Sequence, residues 1–142
     1  MDEKKYREAE NMYRAAAESH PEKPDAYYRL GKLYLKTKEW DRAFSAFEKT
    51  LQADSGEVEA LFGIGETGAL SGQRLASAEE ALKNYLNSKP WSFMPSLAEA
   101  HFRLGQIHER RGEHASARIE FQAALKLDPD YKEAKVALRK LK

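Results

Sequence analysis

Three glycines constrain the fold of this chain more than any other feature. Gly31, Gly65 and Gly105 each close a short apolar run: Tyr27-Tyr28-Arg29-Leu30-Gly31, Leu61-Phe62-Gly63-Ile64-Gly65 and His101-Phe102-Arg103-Leu104-Gly105. They lie 34 and then 40 residues apart. A glycine inside a helix costs roughly 1 kcal/mol relative to alanine, so one that recurs in register needs a compensating contact. Close approach of a neighbouring helix supplies it. Twelve residues beyond the first and third glycines come Ala43 and Ala117, each followed four later by an aromatic, Phe47 and Phe121. The matching alanine of the second unit is Ala78, one residue late, followed by Leu82. Prolines close the second and third units at Pro90 and Pro129, where the first has Ser55. Small residues set helix spacing near the lower end of the usual ~8–10 Å range, and aromatics fill the gaps. Apolar residues at three- and four-residue intervals, Tyr27, Leu30 and Tyr34 and then Phe44, Phe47 and Leu51, give each helix a stripe toward its neighbours. Such hairpins have apolar surface on more than one side and are stable only when stacked.

The N-terminal segment carries only the second half of the pattern, in Ala9, Tyr13, Ala16 and Pro21. These recurrences resemble the tetratricopeptide repeat family, whose unit is a helix-turn-helix, and the resemblance covers nearly all of the chain. It implies an all-α, right-handed superhelical solenoid of about three and a half repeats. The expected layout is a half repeat over 4–20, full repeats over 24–57, 58–92 and 98–131, and a capping helix over 131–142. Three departures stand out. Gly68 replaces the large residue of the other units, Tyr34 and His108, which predicts a cavity or a tighter helix approach. The turn near Ser71–Ser77 is one residue longer. An insertion after Pro90 brings Trp91, Phe93 and Met94 together, either as a plug between repeats or as the lip of a binding site.

The resemblance also implies a function. Members of the family hold peptides or helices of partner proteins against a concave wall formed by the first helix of each repeat, so this chain is expected to be a scaffold or adaptor and not an enzyme. Counting from each glycine, that wall carries Asp25, Tyr28, Lys32, Leu35 and Lys36, then Glu59, Phe62, Glu66, Ala69 and Leu70, then Glu99, Phe102, Gln106, Glu109 and Arg110. Tyr28, Phe62 and Phe102 form an aromatic ladder on it, read either as packing between first helices or as anchors for a partner. On the second reading, alanine at Phe62 and Phe102 removes partner capture and leaves melting near that of the parent. Aligned with the family's clamp for acidic chaperone tails, the chain offers Tyr28, Lys32, Gly63, Glu99 and Arg103, of which only Arg103 agrees. The alternative function is self-association through the uncovered face of the N-terminal helix, around Met12, Tyr13 and Ala16; equally, that face belongs beside a preceding repeat in a longer array.

Composition narrows the rest. Twenty-four basic against twenty-three acidic residues leave a net charge of +1, which lacks the electrostatic footprint of a nucleic-acid binder. Without cysteine there is no thiol chemistry and no disulfide. No apolar run approaches the ~20 residues that span a bilayer, and residues 1–10 are charged where a secretion signal is apolar. His101 and His108 are seven residues apart on one helix, about 10 Å at 1.5 Å per residue, too far to share a metal unaided. Both fall on the core stripe and are expected to be structural; no metal or cofactor is expected.

Overall fold

The computed structural model describes residues 2–88 and 97–141; the Trp91, Phe93 and Met94 cluster lies outside them. Among the described residues the chain forms eight helices, α1 (Glu3–Ser19), α2 (Asp25–Lys36), α3 (Trp40–Ala53), α4 (Val58–Ser71), α5 (Leu75–Asn87), α6 (Leu97–Arg110), α7 (His114–Leu127) and α8 (Lys132–Lys140). Their packing follows chain order: α2 on α3, α4 on α5 and α6 on α7 are the closest pairs, with α1 laid on α2 and α8 on α7. In addition α2 reaches α4 and α4 reaches α6, whereas α3, α5 and α7 have no comparable contact with one another. A stack whose first helices touch and whose second helices splay curves toward the first-helix side. The chain is an all-α solenoid.

The recurring glycines sit at the contacts that hold each hairpin together. A Cβ added to Gly31 or to Gly105 would lie 2.5 Å from Phe47 or 2.4 Å from Phe121, and one on Gly65 would lie 2.2 Å from Leu82. Each glycine therefore receives the large side chain of the facing second helix. Phe47 goes further, because Gly63 of the next hairpin presents the same opening to the same ring at 2.5 Å. At Gly68 the helices close up: a Cβ there would stand 2.2 Å from that of Ala78, so the missing aromatic draws α5 inward. The two fully buried threonines among the described residues, Thr50 and Thr67, donate back to the carbonyls of Ala46 at 2.8 Å and Gly63 at 2.6 Å, which removes the cost of an unsatisfied polar group.

The turns share a feature that the sequence pattern conceals. Seven residues after each core glycine the backbone is left-handed, at Lys38 (φ 61°), Gly72 (φ 76°) and Gly112 (φ 77°). Glycine tolerates this freely, and lysine does so at a cost of roughly 1–2 kcal/mol. Lys38 is exposed, so its side chain has little to lose. Lys38→Gly is expected to raise the unfolding free energy by about 0.5–1 kcal/mol, read as a higher urea midpoint at unchanged slope. An unchanged or lower midpoint would mean that the lysine makes a contact worth as much as the strain.

Candidate partner-binding groove

The inner wall is built from α2, α4 and α6, and the residues three before each core glycine fare differently along it. Tyr28 is half-buried, but Phe62 is only 5% and Phe102 only 7% exposed. The Phe62 ring meets Tyr85 edge-on at 5.5 Å, and Phe102 packs between Phe121 at 5.6 Å and Tyr131 at 5.2 Å. Of the two readings of the ladder, this burial accords with packing within the fold. These rings turn down against the second helix of their own hairpin, and Phe102 also against Tyr131 just before α8, where they bury more apolar surface than they would beside solvent.

Other wall positions divide into free and engaged. Lys32 and Lys36 on α2 and Leu70 at the end of α4 are exposed, Leu35 and Gln106 are half-buried, and Ala69 is buried at 2%. Arg110, expected to face a partner, is exposed and also serves the fold. Its Nε donates to the Ala69 carbonyl at 2.7 Å and its Nη2 to that of Leu70 at 2.8 Å. Carbonyls in a helix's last turn lack intrahelical donors and carry the negative end of the dipole, so a guanidinium fork satisfies both demands. Arg103 is likewise committed, to Glu66 at 2.9 Å, Gln106 at 3.0 Å and Glu99 at 3.6 Å. This leaves the one position that agreed with the acidic-tail clamp already neutralised.

Two hollows open on this face. One of about 480 Å³ lies between α1 and α2, with Tyr13, Tyr28, Arg29, Lys32 and Lys36 on its walls and Glu57 and Glu59 at its far edge. The second, of about 160 Å³, is bounded by Tyr28, Lys32, Leu35, Phe47, Phe62 and three carboxylates, Glu59, Glu66 and Glu99. The carboxylates perturb one another. Burial and then Glu59 raise the pKa of Glu57; burial raises that of Glu99 against the opposing pull of Arg103, with Glu66 adding to the rise. Tyr28 is raised by burial first and then by Glu59, Glu66 and Glu57.

On the other side, α1, α2 and α3 enclose a cleft of about 420 Å³ that includes Arg14, Tyr27, Tyr34, Arg42 and Lys49. Glu10 bridges it, accepting from the Tyr34 hydroxyl at 2.9 Å and standing 3.6 Å from both Arg14 and Arg42. The histidines are structural partners of acids: His101 Nδ1 lies 2.7 Å from Glu120, and His108 Nδ1 lies 2.7 Å from Glu113. Among the described residues no group of three or more His, Cys, Asp or Glu is arranged to hold a metal, and no helix is long and apolar enough to cross a membrane. Sequence reasoning missed the roles of Arg110 and Phe47; the glycine at 63, a second small residue beside the Phe47 ring, was the available signal for the latter.

Known proteins with related sequences and folds bear on this geometry. Two family models, each describing a tetratricopeptide repeat, match residues 1–58 and 98–131. Human Protein O-mannosyl-transferase TMTC1 is 27% identical over 135 residues, which is 95% of this chain and 15% of that protein. The mouse protein of the same name matches over the same length, 14% of its own. The chain thus spans about one-seventh of the curated relatives it matches. Among solved structures, the crystal structure of MamA superposes with a TM-score of 0.81 at 20% identity, covering 94% of this chain and 74% of that one. YrrB, described as a TPR protein with an unusual peptide-binding site, superposes with a TM-score of 0.70 at 21% identity, covering 89% of this chain and 62% of its own. At these identities the likeness is one of fold.

Proposed function

Because the chain belongs to the tetratricopeptide repeat family, we propose that it is a non-catalytic interaction scaffold that holds a peptide or amphipathic helix of a partner protein in the groove formed by α2, α4 and α6. One observation carries the reading: the first helices touch while the second helices splay, which leaves a concave wall whose hollows of about 480 and 160 Å³ are lined by aromatic and charged side chains. The peptide-binding site named for YrrB supports it by likeness of fold. Tyr28, Lys32, Leu35, Lys36, Glu66, Leu70 and Gln106 are the contact positions, with Phe62 contributing the edge of its ring to the groove floor. Self-association through α1 rests on less. Met12, at 69% exposure, is a lone large apolar side chain on a helix whose other exposed apolar residues are alanines, far short of the contiguous patch that a stable interface needs.

Altering contact positions on α2 tests the reading. With the chain as bait and captured proteins identified by mass spectrometry, Leu35→Gln with Lys36→Glu is expected to cut retention of the principal partner about tenfold. Arg118→Glu with Lys126→Glu, on the exposed face of α7, is expected to leave it unchanged. Equal retention by the α2 variant, or loss confined to the α7 variant, would place the partner elsewhere.

A further inference from the structure

The smaller hollow of the groove combines apolar and aromatic lining with three carboxylates. Tyr28, Leu35 and Phe62 wall a volume of about 160 Å³ that also meets Glu59, Glu66 and Glu99, with Lys32 the single lining cation among the described residues. Lys32 is drawn to the Tyr28 ring, its Nζ 5.8 Å from the centroid. Arg103, a second cation among the described residues, stands 2.9 Å from Glu66 and 3.6 Å from Glu99. Glu57 adds a further acid at the start of α4, within hydrogen-bonding reach of Glu59. The field extends to the phenols behind the wall: burial first, and then Glu59 and Glu99, push Tyr85 up to about 12. An acidic partner residue would meet repulsion here, and a cationic one would find three carboxylates along the lining.

We propose that the segment held in the groove presents a lysine or arginine whose cation enters this hollow between Glu59, Glu66 and Glu99, with its methylene stem laid along Tyr28 and the edge of Phe62. This rests on the groove reading above and gives the partner a chemistry: a basic residue on an otherwise apolar face. The aromatic walls suit the stem, and a ring face attracts a cation that is losing water. The choice is opposite in sign to an acidic tail, for which Arg103 would have to be free.

A random-peptide display selection on the full chain, with the selected peptides mapped by amide chemical shifts, tests this and the groove reading separately. The expected result is peptides that shift Tyr28, Glu59 and Glu66 and share a Lys or Arg at one position. Changing that residue to norleucine, or Glu59→Gln with Glu99→Gln in the protein, is then expected to weaken binding roughly tenfold, and added salt should weaken the parent pair. Peptides that map to the groove but carry acidic or neutral residues there, or that tolerate both changes, overturn the basic occupant and leave the groove reading standing. Selected peptides that map to α3, α5 or α7, or a selection that yields none, overturn both.

Discussion

Replacing Phe47 with alanine is expected to lower the unfolding free energy by about 3–5 kcal/mol, more than any other single truncation in the first two hairpins. The ring is fully buried, and its Cδ1, Cε1 and Cζ atoms occupy the space that a Cβ at either Gly31 or Gly63 would need, at 2.5–2.8 Å. It is thus a wedge shared by α2, α3 and α4. Truncation empties the slots of two glycines at once, and backbones already at contact distance have little room to collapse into the void. Since each hairpin depends on its neighbour for cover, part of the loss is in the coupling between repeats. Urea denaturation followed by far-UV circular dichroism should show a fallen midpoint and a broadened transition. A reciprocal variant checks the cause. Gly63→Ala introduces a clash costing about 1–3 kcal/mol, and Phe47→Leu in the same chain should recover part of it, a non-additivity that distant sites do not show. A Phe47→Ala protein within 1 kcal/mol of the parent would mean that the ring is not the wedge.

Alanine at both Phe62 and Phe102 is expected to leave the chain without a cooperative melting transition. Each ring is almost wholly enclosed, at 5% and 7% exposure, and each meets an aromatic of another element within 6 Å: Tyr85 at 5.5 Å for Phe62, Phe121 at 5.6 Å and Tyr131 at 5.2 Å for Phe102. Truncating a buried phenylalanine costs about 3–5 kcal/mol, and the sum of two approaches the whole of the ~5–15 kcal/mol by which a domain is stable. This is the outcome of the packing reading of the ladder; the anchor reading would have the pair removed with the fold intact and partner capture lost. Differential scanning calorimetry of the two single variants and the double variant decides it: lowered but cooperative transitions for the singles and none for the double are expected. A double variant melting at the parent's temperature would return both rings to the surface. The practical consequence is that groove function has to be probed at Lys32, Lys36, Glu59 and Glu99, whose side chains leave the seams untouched.

The contrast between the two positions shows what was legible from residue order. Gly31, Gly65 and Gly105, with the alanine and large apolar residue that follow each, specify close-packed helical hairpins in series, because a mid-helix glycine tolerates its cost only where another side chain takes up the space. That contact is local to one hairpin, so period and residue size suffice to find it. The balance between Tyr28, half-buried, and its counterparts Phe62 and Phe102, buried, was not legible, since all three are aromatics at one register position. Which way such a ring turns depends on the neighbour it finds, Tyr85 or Tyr131.

Arg110 and the carboxylates of the groove belong to the same class. By count from Gly105, Arg110 lies on the inner wall, yet the end of α4 comes close enough for its carbonyls to claim the guanidinium. Glu59 and Glu66 sit on α4 and Glu99 on α6, 40 residues from Glu59; only the stacking of those helices brings them to one hollow. Residue order by itself determined that this chain is a series of helix pairs and that their first helices form a wall, because those depend on spacing within a repeat. The sign and shape of that wall were decided by tertiary structure, because charge and exposure are properties of what lies next door in space, and in a solenoid that neighbour is one repeat away along the chain.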